Sequence, residues 1–374
     1  MKIVKFFFLI CLVSITGHAQ NHCRIKVNGK YGFIDTIGNV VIQPVYDYAQ
    51  QFSEGYAMYR IGDDIGYIDT TGKIRIKGDF DGGSHFSNGL AIVHKNGNYG
   101  CIDREGNQLI DFTYEWMTSA LLSENRIGYK ENGLWGYVDF HGNKIIPPVF
   151  SSIGKFNEGT ARVGYQGKYG VIDTLGNYIL PPKFTMVRGG SFFCNRIAVQ
   201  ERGKKAFYVD RFGNEITAAK FEFTSSFSEG LAFVKENYLE DGYYIDTNGN
   251  KAINASFQKG GLFKEGLAVV RMSDKYGVIN RKGDFIVPPV LDGLAVFYQR
   301  NCIIYWKKRK KGNRYGLIDK QGNFITRPIF SSILVRDGDC PYPELYRKGE
   351  SSYDDNTLVG YVNASGEVIW KPQQ

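Results

Sequence analysis

Apolar and polar positions alternate along this chain in a phrase that keeps returning. It reads 29-GKYGFIDTIGNVVIQPVYD-47 near the start, then 135-WGYVDFHGNKIIPP-148, 169-YGVIDTLGNYILPP-182 and 315-YGLIDKQGNFITRP-328. The glycine of the Tyr-Gly pair serves as a marker. Two residues after it stand Ile34, Ile68, Ile102, Val138, Ile172, Val209, Ile245, Ile279, Ile318 and Val362. All are β-branched, which suits a buried strand position. Strand alternation puts the marker glycine on that same face and puts Tyr31 and Phe33 on the other. Both faces are apolar, so the aromatic face either packs against the next unit, the favoured reading, or is partly exposed as a ladder for sugar rings or a partner. A glycine there leaves room for a neighbouring unit's backbone or ring.

An Asp or Asn follows (Asp35, Asp139, Asp173; Asn280 in one unit), then two variable residues and a second glycine such as Gly38, Gly142 or Gly176. That pattern predicts a tight hairpin in which the carboxylate caps turn amides and the glycine takes a positive φ. The return strand is apolar and stops at proline, as at Pro147-Pro148, because proline has no amide for the ladder. A second phrase comes next: 52-FSEGYA-57, 86-FSNGLA-91, 156-FNEGTA-161, 227-FSEGLA-232 and 263-FKEGLA-268. Its Glu-Gly is a turn, and its Leu-Ala begins a third strand leading to the next Tyr-Gly. Each unit therefore reads as a three-stranded antiparallel meander that cannot bury both faces alone.

The markers fall at Gly32, Gly66, Gly100, Gly136, Gly170, Gly277, Gly316 and Gly360, with Phe207 and Tyr243 replacing glycine in two units. Ten markers at near-equal spacing make one repeat array. The fold class is all-β, a tandem array of about ten meanders. An open solenoid is favoured over a closed propeller, which takes about four to eight four-stranded blades. Two successive units without the marker glycine predict altered packing between Ala206 and Ile245. The steady aromatics Tyr31, Tyr99, Trp135, Tyr169, Tyr276 and Tyr315 are expected to form the seam between units.

These residues carry a family resemblance. Tyr/Trp-Gly-x-Ile-Asp-x-x-Gly-Asn/Lys, the following Ile-Pro-Pro and Phe-Ser-Glu-Gly-Leu-Ala, in fixed order, resemble the WG (KWG) β-repeat family of bacterial proteins. The likeness runs over roughly residues 24–370, through Tyr31-Gly32, Trp135-Gly136 and Tyr169-Gly170. The chain departs from it by writing Tyr before Gly in most units, Trp135 being the orthodox case. The resemblance implies a repeat module that mediates binding, and it supplies neither a ligand nor a catalytic residue.

Composition changes the picture only at the ends. Residues 1–19 join Lys2 and Lys5 to an apolar run from Phe6 to Ile15 and a small-residue exit at Ala19. This is the layout of a secretory signal peptide, leaving residues 20–374 as the array and an exported protein that is periplasmic, cell-surface or extracellular. The formal charge of +8 includes those two lysines, and what remains is too mild to imply nucleic acid. Cys23, Cys101, Cys194, Cys302 and Cys340 form neither a disulfide framework nor a Cys-x-x-Cys pair.

The search for chemistry yields little. The repeated Asp offers one carboxylate per hairpin, which suits a turn cap and not a calcium loop. The recurrent Glu of Phe-Ser-Glu-Gly is present in several copies and reads as structural. No cofactor or metal is implied, and histidines and hydrolase motifs give no site. One irregularity, 336-RDGDCPYPELYRKGESSYDDNT-357, reads as a loop or as a cap that shields the end of the array, and the largest anomaly is 303-IIYWKKRKKGNRYGLID-319. Its Lys307, Lys308, Arg309, Lys310, Lys311 and Arg314 lie in a lengthened turn beside Trp306 and Tyr315. The plain reading is a solvated hairpin tip; the sharper one is a grip for a polyanion such as an acidic glycan. Two function classes follow. One is a non-catalytic binding or scaffold module for a protein or glycan partner. The other is a cell-envelope enzyme, carbohydrate-active, whose site the sequence does not reveal; the lack of paired carboxylates confined to one unit weighs against it.

Overall fold

The Tyr-Gly strand occupies the third place in a typical sheet. In the second unit the order is Tyr48–Ala49, Tyr56–Ile61, Asp64–Asp69, Ile74–Gly78, each strand antiparallel to the next. The computed structural model describes residues 22–297, 302–310, 312–330, 332–334, 344–348, 356–362 and 368–370. The expected leader lies outside the described residues. The rest is all-β, with no helix among the described residues. Among the described residues ten separate sheets follow one another in chain order, six with four strands and four with three.

This refines the three-stranded reading in two ways. The Leu-Ala strand pairs with the Tyr-Gly strand that follows it, so a sheet begins before its marker glycine. A short extra strand, such as Ser152–Ile153 in the fifth unit, is added on the far side of the Leu-Ala strand.

The prolines do not end the return strand. Pro147 and Pro148 lie inside Lys144–Phe150, the last strand of its sheet, where a missing amide faces no partner. They do distort it. Trp135 lies opposite Phe150 and Tyr137 opposite Ile146, so four steps along the edge strand pass over two along its neighbour. The resulting bulge lies directly over the marker glycine. A Cβ on Gly136 would stand 2.5 Å from the Ile146 carbonyl oxygen, and one on Gly32 2.5 Å from that of Ile42. Gly170 and Gly277 meet Leu180 and Val287 in the same way. The glycine therefore makes room for its own unit's return strand, where the sequence pointed to a neighbouring unit.

Where the glycine is missing, so is that strand. The sheets containing Phe207 and Tyr243 have three strands, and the return segment touches them only at single bridges such as Ala206 with Phe221 and Gly242 with Phe257. The expected local change between Ala206 and Ile245 takes this form. In the sixth unit the Thr217 hydroxyl accepts the Tyr208 amide at 3.1 Å, replacing a ladder bond. The ninth unit keeps Gly316 yet also has three strands, and Thr326 there accepts the Leu317 amide at 3.0 Å.

The core lies between sheets. Each junction buries the residue after the marker glycine against the β-branched residue of the next unit. Phe33 meets Ile68, Tyr67 meets Ile102, Tyr137 meets Ile172 and Tyr208 meets Ile245 in successive clusters. The Phe of Phe-Ser-Glu-Gly (Phe52, Phe86, Phe156, Phe227, Phe263) completes these clusters. Full burial of each such ring contributes on the order of 2–3 kcal/mol. The steady Tyr31, Trp135 and Tyr169 are only half-buried at the margin of the clusters. The centre of the seam is the position after the glycine, which varies in chemistry (Phe33, Cys101, Tyr137, Val171) while staying buried.

Tandem order with no sheet rolled into a barrel is the solenoid-like arrangement the sequence favoured. Its two ends are nevertheless in contact. Tyr361, the residue after the last marker, packs on Cys23, Ile25 and Ile34 of the first sheet, and its hydroxyl donates to the Arg24 carbonyl. The same pair of positions that joins the other units thus joins the last to the first. Cys23 is disulfide-bonded; Cys101 and Cys194 are free, and burial pushes the Cys101 thiol up to about 12.

The bulge yields a paired prediction. Gly136→Ala should cost about 1–3 kcal/mol, because a backbone carbonyl must move. Gly133→Ala, at φ +76 with nothing within 4 Å, should cost only about 1 kcal/mol from its backbone conformation. Denaturant unfolding of the two variants checks the order.

Candidate functional site

At each Asp-x-x-Gly hairpin the carboxylate is fully occupied. Asp35 Oδ1 accepts the amides of Ile37 and Asn39 at 3.0 and 2.9 Å, and Oδ2 accepts the Asn39 side chain at 3.0 Å. Asp103, Asp139, Asp173 and Asp319 repeat this with Asn107, Asn143, Asn177 and Asn323. The closing glycines have positive φ as expected: 96° at Gly38, 84° at Gly142 and 92° at Gly176. Desolvation raises these carboxyls, but hydrogen bonds from the asparagine side chain and the turn amides outweigh it, and the net pKa is lowered at Asp103, Asp139 and Asp173. At Asp69 the opposing bonds from Thr71, Arg75 and Lys73 take it down to about 2.

The Glu of Phe-Ser-Glu-Gly does more than turn the chain. It sits at positive φ (Glu54 53°, Glu158 49°), and its carboxylate reaches the equivalent turn of the next unit. Glu54 accepts the amides of Asn88 and Gly89 at 2.7 and 2.8 Å; Glu158 accepts those of Cys194 and Asn195 at 3.0 and 3.2 Å. Glu124 holds Gly159 and Glu229 holds Gly266. The preceding Ser joins in, Ser53 donating to the Phe86 carbonyl at 2.8 Å. Cations reinforce the belt: Arg104 pairs with Glu54, Lys320 with Glu265, and Arg126 and Arg196 reach the carbonyls of Thr174 and Thr247. Sequence alone could not assign this clasp, since its acceptor and donors are a whole unit apart. A surface recess of about 440 Å³ at one such junction is lined by Asp69, Arg75 and Arg104, each already ion-paired.

The basic hairpin lies at the opposite ends of the strands. In the first five units and the eighth this turn is two residues, such as Asn28-Gly29 between Val27 and Lys30, and in the sixth and seventh it is longer, the last pairs being Val199 with Phe207 and Val234 with Tyr243. In the ninth unit Lys307 pairs with Arg314, leaving residues 308–313 as a longer loop. Its root is built like the others. Asp292 accepts the Lys308 amide at 2.9 Å, as Asp47 accepts Gly62 at 2.8 Å and Glu222 accepts Tyr238 at 2.7 Å. The tip differs. Lys307, Lys308, Arg309 and Lys310 are exposed, and among the described residues no ion pair involves them. Lys30, Lys144 and Lys275, by contrast, are paired with Asp47, Glu131 and Asp292. Arg314 is half-buried and donates to the Asn313 carbonyl; Lys311 lies outside the described residues. Among the described residues no cluster of His, Cys, Asp or Glu could hold a metal ion.

Sheets that share their core with neighbours, clasped by repeated acids, define a tandem β-repeat protein. The chain belongs to the WG containing repeat family, whose model matches it nine times, over residues 31–63, 65–99, 99–135, 135–169, 169–204, 207–239, 244–276, 276–305 and 315–335. No curated protein matches it. Among solved structures it is similar to a eukaryotic initiation factor (11% identity, 93% of this chain and 95% of that one, TM-score 0.50). It is also similar to the computationally designed protein Ika8 (13% identity, 82% and 98%, TM-score 0.39) and to Hsv2 of Kluyveromyces lactis (11% identity, 71% and 94%, TM-score 0.32). At these identities the likeness concerns the fold alone.

The turn carboxylates make stability pH-dependent. Their folded pKa values lie below the unfolded value of about 4, so their contribution is present above pH 4 and is lost as pH falls towards about 2. Asn280 supplies an internal control, because it accepts the Lys282 and Asp284 amides at 2.9 and 3.0 Å without a charge. Asp103→Asn should therefore keep the turn at neutral pH and flatten the acid limb of a melting-temperature profile.

Proposed function

We propose that the protein is an exported, non-catalytic binding or scaffold module for a protein or glycan partner, and that the basic hairpin of the ninth unit holds an anionic ligand. The observation that carries this reading is the run of four consecutive exposed cations at its tip. The repeated acids and many of the basic side chains around them are engaged in turns, clasps or ion pairs, whereas Lys307 to Lys310 stand exposed on a loop whose backbone is anchored by Asp292. Membership of a repeat family supports a binding role, because such arrays present long surfaces made of equivalent units. Unpaired cations on an anchored loop attract polyanions at little cost to the fold.

Changing Lys307, Lys308, Arg309 and Lys310 together to Gln should leave the melting temperature nearly unchanged. It should lower affinity for a heparin oligosaccharide by roughly tenfold or more at low salt. Wild-type affinity in that variant, measured by titration calorimetry, would remove the hairpin from the reading. For export, mass spectrometry of the mature chain should find an N-terminus near Gln20, and an intact Met1 on a cytosolic species would refute it.

A further inference from the structure

We infer that the basic hairpin is one half of a site for an acidic polysaccharide, the other half being a row of three aromatic rings, Tyr276, Trp306 and Tyr315. This rests on the reading of the hairpin as a ligand site and adds the class of ligand. Trp306 lies between the two tyrosines, its ring centre 6.5 Å from that of Tyr276 and 5.9 Å from that of Tyr315. All three rings are half-buried, so each keeps some surface in solvent.

The tryptophan is foreign to the repeat. The residue paired across from the steady aromatic is Lys26 opposite Tyr31, His94 opposite Tyr99, Lys130 opposite Trp135, Gly164 opposite Tyr169 and Arg271 opposite Tyr276. Among these only His94 and Trp306 are rings, and Trp306, opposite Tyr315, is the one large apolar ring. Stacking of units does not need it, since the other junctions form without it. A glycine accommodates it, as Gly82 accommodates His94 in the third unit. Gly293 is its partner on the preceding strand, and a Cβ there would overlap the indole. The ring is thus seated on bare backbone, which fixes its orientation before any ligand arrives. Three of these units carry a cation at this position, Lys26, Lys130 and Arg271; in the ninth unit the cations begin one residue later, at Lys307, and continue through Lys310.

Fixed aromatic surface beside exposed cations suits a ligand with both an apolar face and negative charge. The C–H faces of pyranose rings stack on aromatic side chains, while carboxylates or sulfates accept charge-assisted hydrogen bonds from Lys and Arg. Single-stranded nucleic acid offers the same two features. The leader-like residues 1–19 favour the glycan, because they direct the chain away from nucleic acid. The rings also meet at 42° to one another, so each presents its own face instead of forming one continuous stack.

Titration calorimetry of the mature chain tests this with four probes of similar length: an oligogalacturonate, a heparin oligosaccharide, a neutral oligogalactan and oligo(dT). At least one acidic glycan should bind, with the neutral glycan and oligo(dT) at least tenfold weaker. Trp306→Leu should lower that affinity roughly tenfold or more, with the salt dependence retained because the cations remain. Tyr276→Leu serves as the second variant should Trp306→Leu alter the thermal melt. Oligo(dT) binding as tightly as either acidic glycan would overturn the ligand class. Wild-type affinity in both ring variants would overturn the aromatic half and leave the hairpin reading standing. No binding of any probe would overturn both.

Discussion

A small sheet with two apolar faces is stable only between two others. Every other feature of this chain follows from that constraint. The strand at the middle of each unit turns its marker-plus-one residue to one neighbour and its β-branched residue to the other, and both are fully buried. No unit owns a complete core; each cluster is shared by two sheets. Stability therefore resides in junctions, and a terminal sheet would expose one face to water. The contact of Tyr361 with Ile25 and Ile34 covers that face with the chain's own last unit. Repeat arrays otherwise need a polar capping unit at each end.

Polar groups follow the same logic. Hydrophobic packing fixes the distance between sheets but resists sliding weakly, since dispersion is not directional. The Glu54 and Glu158 carboxylates, each bound to two amides of the next unit's turn, supply the direction. A carboxylate bound to backbone amides makes charge-assisted bonds, stronger than those between neutral groups. It also tolerates sequence change in its partner, which explains why Asn88-Gly89 and Cys194-Asn195 serve equally well as donor turns. Desolvation of Glu54 works against its charge, yet the bonds from Arg104, Gly89 and Asn88 prevail and its pKa is lowered.

Much of this was legible in the sequence because the repeat performs its own alignment. The Asp-x-x-Gly hairpin, its capped amides and its positive-φ glycine follow from turn chemistry within five residues, and the structure reproduces them. What failed was whatever depended on partners distant in sequence. The marker glycine was assigned to contact between units, and the carbonyl of Ile146, ten residues on, proved to be the obstacle. The two prolines looked like a stop because a strand edge cannot be recognised from one sequence; at an edge they make a bulge. Steadiness of Tyr31 and Tyr169 suggested the seam. Yet a buried position needs only volume, so Phe33, Cys101 and Val171 can interchange there, whereas a half-exposed ring at the margin is held to one shape.

The same reasoning limits where function can lie. A residue present in every unit is explained by the junction it makes, and its removal would weaken folding before it revealed a ligand. Specificity must come from positions where one unit departs from the rest without a structural need. Trp306 seated on Gly293, and the four consecutive cations Lys307 to Lys310 beside it, are such departures in a single unit, and the glycine admits the ring. Independent drift would scatter departures over the array, as the exposed Phe212 and Leu239 illustrate in two other units. Departures that adjoin one another, on a hairpin whose root is built like its neighbours, mark the place where the array stops repeating for a reason other than its own stability.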